Sequence, residues 1–164
     1  MNYHNIAHCD TLNGSGLRVT LWVAGCTHHC KNCHNPVTWD VNGGVAFDSK
    51  AMDELLDALD HDYIAGLSLS GGDPMHPANR KDILNICKIV KQKFPSKNIW
   101  MYTGYTFEEI KDFNILQYVD VLVDGEYIDE LRDIEMHWAG SKNQRIINVL
   151  ETLKQGHIIQ YKIN

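Results

Sequence analysis

The chain has 164 residues, 44% of them hydrophobic, which is enough for one domain with a real core over residues 1–164. Its net charge of −6, with acidic residues spread along the chain, argues against a nucleic-acid partner, which would leave a basic stripe. No apolar run reaches the roughly 18 residues of a membrane span, and Met1-Asn2-Tyr3-His4-Asn5 has no signal-peptide pattern, so a cytoplasmic protein is expected.

Residues 1–16 read as a lead-in ending in the permissive turn Asn13-Gly14-Ser15-Gly16. Arg18 opens a first strand through Val19-Thr20-Leu21-Trp22-Val23-Ala24, which runs straight into a cysteine loop, Gly25 to Asn35. A turn at 41–45 follows. Asp48 or Ser49 then caps a helix with apolar Met52, Leu55, Leu56 and Leu59. Residues 64–70 form a second strand, ending in Gly71-Gly72-Asp73-Pro74. Pro77 opens a helix carrying Ile83, Leu84, Ile86, Cys87 and Val90, and Pro95 ends it. A third strand over 98–102 leads to Thr103-Gly104-Tyr105, and Thr106 with Glu109 has capping-box spacing. Residues 118–125 read as a fourth strand and 126–143 as irregular and polar. The stretch 144–149 is a strand or the lead to a short helix, and 158–163 is a last strand.

Strand, loop and helix alternate, which implies an α/β fold with a mainly parallel sheet. Cys26, Gly71-Gly72, Thr103-Gly104 and Asp124-Gly125 all follow strand C-termini, which share one rim where ligands bind. A closed eight-stranded barrel takes about 250 residues. Five or six strands therefore give a partial, open (β/α) barrel.

Cys26, Cys30 and Cys33, spaced C-x3-C-x2-C, are too close together for a disulfide framework and fit a reduced compartment. Their thiolates repel and call for a cation. Zinc would take a fourth ligand from His28, His29 or His34, but this is not a usual zinc spacing. A four-cysteine iron–sulfur site lacks a defined fourth thiolate. The third option is a [4Fe-4S] cluster on three thiolates with one iron open. Cys87 reads as a core residue on an apolar helix face, and Cys9 has no specified relation to the loop.

Cys26-x-x-x-Cys30-x-x-Cys33 resembles the signature of radical S-adenosylmethionine enzymes, and Gly71-Gly72-Asp73-Pro74 resembles that family's Gly-Gly-acidic-Pro motif. Asn13-Gly-Ser-Gly-Leu-Arg18, Trp100-Met-Tyr-Thr-Gly-Tyr105, Val123-Asp-Gly125 and Trp138-Ala-Gly-Ser-Lys-Asn-Gln-Arg145 extend the match over nearly the whole chain. Together they are similar to the activating proteins of anaerobic (class III) ribonucleoside-triphosphate reductases. Ser15 stands where family members more often have proline, and Asn32 where many have an aromatic residue.

The resemblance implies a single radical S-adenosylmethionine domain. Its metal ligands would be Cys26, Cys30 and Cys33, and S-adenosylmethionine would meet Asn32, Cys33, His34, Gly71, Gly72, Asp73 and Thr103. Glycines allow close backbone approach there, and carbonyls with a carboxylate suit an ammonium group. The cofactors carry the chemistry, so no side-chain acid or base is implied. The implied partners are the reductase, which receives a glycyl radical, and a low-potential electron donor such as reduced flavodoxin. An activase of another glycyl-radical enzyme, such as pyruvate formate-lyase, or a non-enzymatic metal-binding module are the alternatives.

Overall fold

A computed structural model describes residues 1–162. Its strands are β1 (Asn2–Asp10), β2 (Arg18–Val23), β3 (Val45–Ala46), β4 (Gly66–Gly71), β5 (Asn98–Tyr102), β6 (Val121–Asp124) and β7 (Arg145–Asn148). The helices are α1 (Ser49–Leu59), α2 (Arg80–Lys93), α3 (Phe107–Ile110) and α4 (Val149–Gln155). All seven strands join one open sheet in the order β3-β1-β2-β4-β5-β6-β7.

The centre of the sheet is parallel as expected: β2 pairs with β4, β4 with β5 and β5 with β6. Both flanks are antiparallel, through β1 on β2, β3 on β1 and β7 on β6. Seven strands, half of whose pairings are antiparallel, thus replace the five or six mainly parallel ones expected. The chief difference is β1, read from sequence as a lead-in. Only Ile6 of its nine residues is buried, so it shows no apolar run, and its backbone ladder to β2 creates the strand. At the other end, Gln160 makes a single bridge to Ile147 in place of the expected last strand, whose residue 163 lies outside the described residues. Residues 144–149 satisfy both readings: β7 ends at Asn148, whose side chain accepts from Glu151 N and caps α4.

Elsewhere local chemistry sets the boundaries. Asp48 caps α1 by accepting from Ala51 N at 3.0 Å. Thr106 and Glu109 close the capping box that starts α3. The helix expected from Pro77 begins later, at Arg80, after a turn in which His76 N donates to Asp73 O and Asn79 N to His76 O.

One sheet face carries Val19, Leu21, Leu67, Leu69, Ile99, Met101 and Leu122 into a core with Leu55 and Leu59 of α1 and Ile83, Ile86, Cys87 and Val90 of α2. Each such side chain contributes about 1.5–3 kcal/mol by leaving water. The opposite face is laid out in rows by the strand register. Thr20, Ser68, Trp100 and Val121 lie side by side across four strands. One row nearer the strand C-termini, Trp22 pairs with Ser70 and Tyr102 with Val123. Trp138 and Tyr161 pack edge-on against Trp100 and cover the lower row.

Arg18 anchors the far end of this face. It is fully buried, with Nε donating to Ser68 Oγ at 2.7 Å. Its Nη1 donates to Asn98 Oδ1 and Ser15 O, and its Nη2 to Leu67 O and Asn98 O. Among the described residues no carboxylate bonds to it, and burial lowers its pKa to about 10. Arg18→Ala would leave these acceptors unpaired beside a cavity. It is expected to destabilise the fold by at least about 3 kcal/mol, measured by urea denaturation.

Candidate metal centre

The parallel strands β2, β4, β5 and β6 all finish at one rim, and the four sequence motifs sit on the loops that leave it. Two of those loops touch backbone to backbone: Gly72 N donates to Val23 O at 2.8 Å, and Asp73 N to Gly25 O at 2.7 Å. A Cβ on Gly72 would stand 2.5 Å from Gly25 O. One on Gly71, where φ is 101°, would stand 2.6 Å from Val23 N. Both glycines therefore have a reason inside the protein: they let the β4 exit press against the start of the cysteine loop.

Asp73 follows them and is 1% exposed. Its Oδ1 accepts from Met75 N at 2.7 Å and Thr103 Oγ1 at 2.8 Å, and its Oδ2 from Gly104 N at 3.0 Å. His28 Nε2 lies 2.9 Å from the same Oδ2. The carboxylate is thus fully engaged, and it locks the β5 exit and the cysteine loop to the β4 exit. Thr103 is buried in the same network. Asp124 is likewise used inside the fold, accepting from Phe107 N at 2.7 Å and pairing with Arg145, which also grips Glu108.

The cysteine loop has little backbone support. Among the described residues Thr27, His28, His29, Lys31 and Asn32 make no backbone–backbone hydrogen bond. Side chains hold it to the segment after β6 instead. His28 Nδ1 lies 2.7 Å from Glu126 Oε1, Lys31 Nζ 2.7 Å from Glu130 Oε1, and Asn32 Nδ2 donates to Asp129 Oδ2 at 2.8 Å. The His34 ring meets Tyr127 at 5.7 Å. Asn32 has φ 56°, a left-handed conformation that Asn tolerates and an aromatic residue resists, which accounts for asparagine at this position. The Asp73 contact, reinforced by Glu126, raises the His28 pKa to about 9.

A cleft of about 500 Å³ opens at this rim. Cys26, Cys30, Cys33, His34, Gly71, Gly72, Asp73 and Thr103 all line it, while Asn32 does not and turns outward to Asp129. Its floor is Trp22, Ser70, Tyr102 and Val123, and Leu12, Met136 and Trp138 wall it. Trp22 and Met136 were not legible as site residues. The inward alternation along β2 carries the signal for Trp22, and Met136 has none. Cys9 lies exposed on β1 and Cys87 is buried in α2, both outside the cleft.

The thiols suit an anionic iron–sulfur cluster. The main-chain N–H groups of His28 and His29 favour the Cys26 thiolate and that of Tyr127 the Cys30 thiolate, and Asn35 N donates to Cys33 Sγ at 3.4 Å. Such N–H donors stabilise negative charge on sulfur. Burial pushes the Cys26 thiol up to about 11 and raises Cys30 too, so these thiols give up protons when a cation binds. Among the described residues no three His, Cys, Asp or Glu side chains close on a single point, as a mononuclear site requires. Cys26, Cys30 and Cys33 line one cleft. Among the described residues Tyr102 Oη and Trp39 Nε1, both on cleft-lining residues, have no hydrogen-bond partner.

A family model described as a 4Fe-4S single cluster domain matches residues 12–147, which include the three cysteines gathered at the rim of the sheet. The chain is 47% identical over 146 residues to the anaerobic ribonucleoside-triphosphate reductase-activating protein of Enterobacteria phage T4, covering 89% of this chain and 93% of the relative. It is 46% identical to that of Vibrio cholerae, over 89% of this chain and 97% of the relative. The Escherichia coli K12 protein is 41% identical, over 88% and 96%. The chain belongs to the family of anaerobic ribonucleoside-triphosphate reductase-activating proteins.

After anaerobic reconstitution with iron and sulfide, Cys26→Ser, Cys30→Ser and Cys33→Ser are each expected to lose most cluster absorbance and bound iron. Cys9→Ser and Cys87→Ala should keep both. Retention of a full cluster by any of the first three would remove that cysteine from the ligand set.

Proposed function

We propose that this protein activates an anaerobic ribonucleoside-triphosphate reductase by generating a glycyl radical on it, as a radical S-adenosylmethionine enzyme with one domain over residues 1–164 and a partial (β/α) barrel. The names of its relatives support the partner, and the 4Fe-4S family supports the cluster. The single observation that carries the mechanism is that Cys26, Cys30, Cys33 and the Gly71-Gly72-Asp73 turn line one cleft. When bound, a [4Fe-4S] cluster with S-adenosylmethionine on its open iron supplies one-electron reductive cleavage of the sulfonium, giving the radical that removes a hydrogen from a backbone glycine.

The chain's own residues bind, orient and shelter. Cys26, Cys30 and Cys33 would hold the cluster by their thiolates and so leave one iron for the second cofactor. With the Asp73 carboxylate engaged internally, main-chain carbonyls of the Gly71-Gly72 turn would be left to meet the methionine ammonium. Asp73 and Thr103 then position that turn, and Cys33 and His34 flank the cofactor from the cysteine loop. Trp22, Tyr102 and Trp138 exclude water from a reactive intermediate. The mouth stays open beside Leu12, which is 80% exposed, so a segment of another protein has a way in. A low-potential donor such as reduced flavodoxin supplies the electron.

The test is anaerobic incubation of the reconstituted protein with reductant, S-adenosylmethionine and the reductase. Release of 5′-deoxyadenosine with a glycyl-radical signal in electron paramagnetic resonance is expected. The reductase should give far more signal than pyruvate formate-lyase. A colourless protein holding one zinc, or a signal on the lyase alone, would overturn the reading.

A further inference from the structure

The cysteine loop meets the β5 exit through the side chain of His28. Its side chain is only 10% exposed, whereas Lys31, the other cationic tether of the loop, is 69% exposed. An exposed pair such as Lys31–Glu130 contributes about 0–1 kcal/mol, so it cannot fix the loop alone. His28 has both ring nitrogens on carboxylates, Nε2 on Asp73 at 2.9 Å and Nδ1 on Glu126 at 2.7 Å. The Tyr105 ring packs against it edge-on, with centroids 4.8 Å apart.

A second, independent observation concerns Gly104. A Cβ built there would lie 2.5 Å from His28 Cδ2, 2.6 Å from Nε2 and 2.7 Å from Cγ. The backbone of Gly104 is not in the left-handed region, so its conformation does not demand glycine. The imidazole does, because it lies directly on the bare Cα.

We propose that His28 is the positioning residue of the cysteine loop, a strut that sets the thiols against the Gly71-Gly72 turn, and that residue 104 is glycine to seat it. This rests on reading the loop as the cluster's ligand set. His28 does not touch the reacting atoms in this role. It acts through Asp73 and Gly104, which fix where Cys26 and Cys30 stand relative to the other strand exits. His29, with φ 50° and an exposed ring against Trp39, lacks these contacts.

A double-mutant cycle on the full chain tests this: wild type, His28→Ala, Gly104→Ala and the pair. In metal-free protein, Cys26 alkylation should speed up in both single variants, while Tm stays within about 4 °C, because Asp73 keeps its Met75, Thr103 and Gly104 donors. In reconstituted protein, S-adenosylmethionine titrated against the cluster's paramagnetic signal should bind at least about tenfold more weakly in both. That is the usual size of effect for partners that orient metal ligands. The double variant should be no worse than His28→Ala alone, since the added methyl then meets empty space. Multiplying defects, or wild-type alkylation and affinity in His28→Ala, would overturn the strut. Wild-type protein that takes up no cluster would instead overturn the reading beneath it.

Discussion

Everything at the rim depends on how closely the exits of β2 and β4 approach. Gly72 and Asp73 give their N–H groups to Val23 and Gly25, and no side chain fits between the two segments. That contact converts two neighbouring strands into a joined pair of loops. The cysteines leave from one member and Asp73 from the other. Because Asp73 also takes Thr103 and Gly104, the β5 exit is bound to the same point. A parallel sheet brings strand ends near one another in any case. Here main-chain contact reduces that nearness to a single fixed arrangement.

Much of the fold was legible because its central strands are continuous apolar runs and its helices carry caps. Asp48, the Thr106–Glu109 box and the run from Val19 to Val23 each declare themselves. The strand β1 did not, because it stands near the edge of the sheet and half its surface meets water. Its existence is a property of β2's unpaired backbone, which no local pattern in residues 2–10 records. The Asn148 boundary was ambiguous for a related reason: one residue ends a strand and caps a helix, so both readings are true of it.

The site was legible as a set of residues and less so as a set of roles. Spacing and strand-end placement pointed to one rim for the three cysteines, the glycine pair, His34 and Thr103, and these residues line one cleft there. What the pattern did not disclose is that Asp73 spends its carboxylate on the protein, and that Asn32 meets a backbone demand while facing away from the cleft. His28 and His29 are adjacent in sequence and equivalent by composition. Only the fold separates a half-buried, doubly bonded ring from an exposed one.

The weak backbone support of the cysteine loop has a further meaning. A segment with almost no main-chain hydrogen bonds opens at small cost while the sheet beneath it stays folded. What holds the loop is instead the set of side-chain contacts from His28, Lys31 and Asn32 to Asp73, Glu126, Glu130 and Asp129. Order in the loop is thus set by its side-chain tethers, separately from the folding of the sheet.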